Sequence, residues 1–152
     1  MNVEIKKLSR EEIGRFVELI QVFERVFEMR NFTMPGRNHI EQLLQGDNFL
    51  VFVGLDDDKV IGGLTAYVME QYYSAAPLVY IYDLAVETNY QRKGIGRALI
   101  EHINSYCKKA GVEAVMVEAE EPDEYAIEFY RSTGATGKKT VHFEYLQDNI
   151  SQ

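Results

Sequence analysis

Tyr80-Ile81-Tyr82-Asp83-Leu84-Ala85-Val86, followed shortly by Gln91-Arg92-Lys93-Gly94-Ile95-Gly96-Arg97, decides how this chain is read. The first stretch has the length and apolar, aromatic content of a buried strand, with one carboxylate, Asp83, set inside it. The second reads as a turn that opens a helix. Two glycines, Gly94 and Gly96, let the backbone approach a ligand, and the first-turn N–H groups of the helix then point at it. The helix dipole and the charges of Arg92, Lys93 and Arg97 add positive potential. Strand, glycine turn and helix N-terminus together suit an anion, a phosphate or pyrophosphate above all. An ordinary tight strand-to-helix turn is the plainer reading of the same residues. A P-loop would need Lys-Ser/Thr after its last glycine, and a dinucleotide fingerprint would need a glycine where Leu99 stands.

The rest of the chain bounds the answer. Its 152 residues suffice for one domain, 1–152, with a sizeable core. An apolar share of 46% and a charged share of 26% suit a soluble globular protein. No apolar run is long enough to span a bilayer, and the first seven residues lack the apolar centre of a signal peptide. The single cysteine, Cys107, cannot form an internal disulfide, so a reducing cytoplasm is the expected location. A net charge of −8 argues against nucleic acid or an anionic membrane as the main partner and suits a cationic substrate.

Taken in order, residues 3–8 read as a strand. Ser9 and Glu12 have capping-box spacing, and Ile13, Phe16, Val17, Ile20, Phe23 and Phe27 then recur on one helical face to about Met29. Thr33-Met34-Pro35-Gly36 is turn chemistry, and a short helix should follow from Asn38. His39 is expected on the surface. Residues 49–54 and 60–67 read as a hairpin around Asp56-Asp57-Asp58-Lys59, whose spacing is not that of a calcium loop. The central strand spans about 78–87. A helix from Ile95 to about Ala110 carries Leu99, His102, Ile103 and Tyr106 on one face, and Gly111 stops it. His102 is expected to be packed, and Cys107 to be core rather than nucleophile. A valine-rich strand at 112–119 leads into an acidic run, and Asp123 should cap a helix over 125–133 ended by Gly134. Residues 141–146 read as a last strand.

Gln91-x-x-Gly94-x-Gly96 after a strand ending Leu84-Ala85-Val86 resembles the acetyl-CoA signature of the GNAT acetyltransferases. The run from Asp123 through Ala126 to Phe129-Tyr130, then Gly134, resembles the family's C-terminal helix, with Asp123 where an asparagine usually stands. Ala66-Tyr67-Val68, residues 81–86, the acidic run ending at Ala126 and His142-Phe143-Glu144 together resemble the type I aminoglycoside 3-N-acetyltransferases from about Phe49 onward. The resemblance implies an α/β fold with a mixed, mostly antiparallel sheet flanked by helices and open between two central parallel strands. It further implies direct attack of an amine on acetyl-CoA, without a metal. Backbone groups at Leu84, Ala85 and Val86 would hold the pantetheine arm, and Gln91, Arg92, Lys93, Gly94, Ile95, Gly96 and Arg97 the pyrophosphate. Asp123, Ala126 and Tyr130 would complete the cofactor side, with Tyr130 as proton donor to the leaving thiolate.

A carboxylate is the natural base for the incoming amine, and Asp83 is the expected one. Strand alternation puts Asp83 and Tyr82 on opposite faces. By resemblance, Glu120 and Glu144 join Asp83 in binding a polycationic substrate. A solvated acidic loop is the alternative reading of Glu120, Glu121 and Glu124. The acceptor expected is an aminoglycoside, with resistance as the outcome. A polyamine, another small amine or a protein amine keeps the chemistry and changes the acceptor. A non-catalytic acetyl-CoA-binding module is the reading from another class. The residues leave oligomeric state open, with a homodimer among the options, and by resemblance residues 30–40 border the acceptor site.

Overall fold

Burial along the strands explains the layers. β2 (Phe49–Asp56) is buried on all but its last residue and β3 (Lys59–Met69) from Val60 through Ala66, which requires cover on both faces of the sheet. In the computed structural model, which describes residues 2–148, α1 (Ile13–Val26) and α2 (Arg37–Gln45) provide that cover on one face and α3 (Ile95–Lys109) on the other. Val51, Val53 and Leu55 share a core with Phe16, Leu19, Val22 and Ile40. The alternate residues Phe52 and Gly54 meet Tyr106 and Ile95 of α3.

The chain divides into two compact units, one running to Glu118 and the other from Ala119. The first holds a five-stranded sheet in the order β1-β2-β3-β4-β5, with β1 at Val3–Lys7, β4 at Leu78–Val86 and β5 at Ala114–Val117. Every neighbouring pair is antiparallel except β4 with β5, which is parallel. The expected mixed, mostly antiparallel sheet is therefore present.

Local chemistry sets the element ends. α1 begins at Ile13, later than the capping-box spacing suggests, and only half of the box forms: Ser9 N–H donates to Glu12 Oε2 at 2.8 Å. The β2–β3 hairpin turns through Asp57 and Asp58, both with positive φ, as a two-residue turn between twisted strands requires. Gly63 in β3 has no room for a side chain: a Cβ there would stand 2.4 Å from the Phe52 carbonyl oxygen and 2.7 Å from Leu19. This close approach seats α1 against the middle of the sheet. α3 ends as expected, with Gly111 at φ +75° just after it.

The second unit contains α4 (Glu124–Ser132), capped as expected by Asp123, whose carboxylate accepts from the Ala126 N–H at 3.0 Å. The strand expected over 141–146 is not there. Residues 135–147 carry no regular secondary structure, and Val141, Phe143, Tyr145 and Leu146 are exposed. β-Rich composition alone makes no strand, since the ladder bonds need a partner. Among the described residues, no helix is long and apolar enough to cross a membrane.

Candidate active site

β4 outruns its parallel neighbour. Pairing with β5 ends at Ile81 opposite Val117, while pairing with β3 continues to Val86. Residues 82–86 thus offer one backbone edge on which, among the described residues, no strand pairs. Such an edge accepts an extended ligand as an added strand.

A bulge falls where the edge opens. Thr65 pairs with Asp83 but Ala66 pairs with Ile81, leaving Tyr82 unpaired and 62% exposed. The bulge breaks the alternation expected to send Tyr82 and Asp83 to opposite faces. Tyr82 stands edge-on to Tyr67 at 5.8 Å and to Tyr80 at 6.3 Å. Asp83 lies close enough to both to act on them. The Tyr67 phenol is pushed up by burial first, then by Tyr82 and Asp83. Tyr80 donates to Glu118 Oε1 at 2.6 Å and is pushed up to about 12, chiefly by that bond. Among the described residues Asp83 has no hydrogen-bond or ion-pair partner, and burial alone raises its acid above the usual carboxylate range. A half-buried carboxylate without a partner is costly unless a ligand supplies one.

Tyr67 also lines a cavity of about 200 Å³ with His39, Gln42, Leu43, Asn48 and Phe49. His39, expected as an ordinary surface residue, is exposed but contributes to this wall, and it comes from the segment 30–40 singled out as bordering the acceptor. His102 is exposed rather than packed, its ring Nδ1 2.9 Å from the Ala98 carbonyl oxygen one turn earlier. Cys107 is buried, and burial pushes its thiol up, so it is core as expected.

The glycine turn has the backbone of an anion cradle. Arg92 and Gly94 both have positive φ, +60° and +83°, within four residues that lead into α3. No side chain caps the N-terminus of α3, whose first turn begins with Ile95 and Gly96, so the helix end keeps its capacity for an anion. Ile95 is buried and anchors the turn. Gln91 Nε2 donates to the Val86 carbonyl at 2.9 Å, so this side chain ties the turn to the end of β4. Lys93 lies over the Tyr90 ring at 5.7 Å.

Of the remaining expected residues, Asp123 and Ala126 form the cap of α4, and Tyr130 is half-buried beside Phe129, ring centroids 5.1 Å apart. Glu120 and Glu144 are exposed in the second unit, whereas Asp83 belongs to the first.

Residues 16–135 match the acetyltransferase (GNAT) family. The chain belongs to that family. An aminoglycoside acetyltransferase from an uncultured soil metagenomic sample, meta-AAC0020, crystallised with trehalose and with sisomicin, is 48% identical, with a TM-score of 0.95 over 96% of this chain and 97% of that one. A second soil-metagenome aminoglycoside acetyltransferase, HMB0005, is 29% identical, with a TM-score of 0.90 over 97% of this chain and all of that one. Among curated proteins, the ribosomal protein bS18 alanine N-acetyltransferase of Escherichia coli K12 is 29% identical over 115 residues, 66% of this chain and 73% of that protein.

This GNAT enzyme is therefore an N-acetyltransferase that uses acetyl-CoA. The uncapped α3 N-terminus and the two left-handed residues before it match the chemistry of a pyrophosphate, and the open β4 edge matches that of an amide-bearing arm. Sequence reasoning missed Tyr67, Tyr80, Tyr82 and Glu118 as one cluster. The signal for it lay in the tyrosines at 80 and 82, but the bulge that brings Asp83 to them has no mark in residue type.

Proposed function

We propose that the enzyme acetylates the 3-amino group of an aminoglycoside, that amine attacking the thioester carbonyl carbon as the C–S bond breaks, with antibiotic resistance as the consequence. The observation that carries this reading is Asp83, an unpartnered, half-buried carboxylate where the β4 edge opens, among three tyrosines. It needs a cation or a proton to be at ease, and an aminoglycoside ammonium brings both. Support comes from the 48% identical soil aminoglycoside acetyltransferase and from the net charge of −8.

Acetyl-CoA supplies the acetyl thioester. Backbone groups at Leu84, Ala85 and Val86 bind its extended arm, and an N–H there donates to an oxygen that gains negative charge. Arg92, Lys93, Gly94, Ile95, Gly96 and Arg97 hold phosphate oxygens, with Gln91 bracing the turn. Asp83 takes the proton of the acceptor ammonium, directly or through a water. Tyr130 gives a proton to the departing thiolate, and Asp123 and Ala126 set the helix that bears it. Tyr67, Tyr80 and Tyr82 present flat apolar faces to sugar rings. Glu120 and Glu144 attract the remaining ammonium groups.

Two outcomes follow for side chains outside β4. Tyr130→Phe keeps the ring, so acetyl-CoA binding survives while turnover falls roughly 10²-fold. Unchanged turnover with chemistry rate-limiting would reduce Tyr130 to packing. Glu120→Gln and Glu144→Gln each raise KM for the aminoglycoside with little change in kcat. Added salt raises the wild-type KM too, since exposed charges are screened over about 10 Å at 0.1 M. A KM indifferent to both substitutions would remove the two acids from the acceptor site.

A second reading is favoured by the curated relatives: the acceptor would be the α-amine of an N-terminal alanine on a protein. Product analysis separates the two. NMR of the acetylated aminoglycoside should show a single amide at the 3-amino nitrogen. Acetylation elsewhere on the ring system would overturn the regiochemistry, and efficient turnover of an alanine-terminated peptide alone would overturn the acceptor.

A further inference from the structure

One side-chain bond spans the point where β4 and β5 part. Their backbone pairing stops at Ile81 opposite Val117, and Glu118 is the next residue on the β5 side. Across the two strands the Tyr80 hydroxyl donates to Glu118 Oε1 at 2.6 Å, within the unit that ends at Glu118. Chemistry fixes the direction of this bond. A carboxylate only accepts, so the proton between the two oxygens is the phenol's. Among the described residues, neither Tyr67 nor Tyr82 has its hydroxyl committed in this way, and Glu118 forms no ion pair.

A tyrosine hydroxyl has a single proton to donate and otherwise only lone pairs. With that proton given to Glu118, the Tyr80 oxygen has only lone-pair capacity left for a ligand. Asp83 lies near enough to this hydroxyl to push its titration up, and an ionised carboxylate likewise only accepts. The two groups therefore ask a ligand for hydrogens and offer none. An ammonium has several N–H donors and no lone pair, so it serves both at once. An alcohol has a single hydrogen and would leave one of the two acceptors unpaired, which is costly where water is excluded.

We infer that Glu118 is a positioning residue for the acceptor: by holding the Tyr80 proton it leaves that phenol oxygen, near Asp83, as an acceptor alone, and so selects an ammonium over a hydroxyl at this place. This role rests on the reading of Asp83 as the group that receives the acceptor, and it holds for any amine the enzyme takes. Glu118 acts through Tyr80 and takes no part in the proton transfer, which stays with Asp83. Without the carboxylate, the Tyr80 hydroxyl is free to turn its own proton toward the incoming N–H groups, an arrangement that repels them.

The test is initial rates with whichever is fastest of an aminoglycoside, a polyamine and an alanine-terminated peptide, on variants whose circular dichroism is unchanged. Glu118→Gln and Tyr80→Phe should each raise KM for that amine roughly tenfold, the scale of one hydrogen bond to a charged group, and leave KM for acetyl-CoA as it was. The double variant should be no worse than the more impaired single one, since both changes remove the same contact. Glu118→Asp keeps the charge but is too short to reach the hydroxyl, so it should behave as Glu118→Gln does. In NMR of ring-labelled tyrosine, the Tyr80 titration at about 12 should move down in Glu118→Gln. Asp83→Asn tests the underlying reading separately: normal turnover there would put the acceptor elsewhere and end this role of Glu118 with it. With Asp83→Asn impaired, three results would overturn the positioning role alone: a wild-type KM in Glu118→Gln, full additivity with Tyr80→Phe, or rescue by Glu118→Asp. A raised KM for acetyl-CoA in the Glu118 variants would also overturn it, reducing the bond to a strut between the strands.

Discussion

Asp83→Asn should lower kcat for an aminoglycoside by roughly 10²- to 10⁴-fold while acetyl-CoA still binds. Asparagine keeps the shape and removes the ability to take a proton. The pH profile carries the same argument. A base must be ionised to act, and burial raises the Asp83 acid above the ordinary carboxylate range. The wild-type kcat/KM should therefore fall on the acid side through that raised value, and Asp83→Asn should lose this limb. Stability moves the other way. An acid whose folded pKa is raised favours the fold below its unfolded value, and that contribution is lost as pH rises through the folded one. Above its folded pKa the ionised Asp83 has no partner to offset burial, so Asp83→Asn should there leave Tm unchanged or higher. A variant with normal turnover and a lowered Tm would make Asp83 a structural acceptor.

Gly94→Val should weaken acetyl-CoA binding at least tenfold. Gly94 sits at φ +83°, and a Cβ built on it meets nothing within 4 Å. The cost is thus backbone strain, about 1–2 kcal/mol for the left-handed conformation, and a β-branched side chain suffers it most. Relief of the strain turns the N–H groups that lead into α3, and tenfold in affinity corresponds to only about 1.4 kcal/mol. Gly94→Ala should fall between the two. Calorimetry with acetyl-CoA, on variants whose circular dichroism is unchanged, reads the effect. Wild-type affinity in Gly94→Val would take the phosphate site away from this turn.

Much of the molecule was legible because its signals were local. The strand before the glycine turn, the α3 stop at Gly111 and the Asp123 cap each depend on a few adjacent residues, and each is found as expected. What escaped depends on partners remote in sequence. The β4 bulge arises from the register against β3, so strict alternation placed Asp83 away from tyrosines it lies beside. His102 fits the apolar face of α3 by spacing, yet it lies at the exposed margin. Residues 141–146 have the composition of a strand but no ladder. Ser9 and Glu12 have capping spacing, but only the Glu12 half of the box forms, and α1 starts at Ile13. In the site, the glycine turn was visible in residue types, while the tyrosine cluster required the fold.

One measurement addresses the acceptor most directly. Initial rates of thiol release from acetyl-CoA would be compared across sisomicin and other aminoglycosides, a polyamine and a peptide beginning with alanine. The expected kcat/KM is highest for an aminoglycoside, by at least tenfold over the polyamine and the peptide. Equal or faster release with the peptide or the polyamine would contradict it, as would release no faster with any amine than without one.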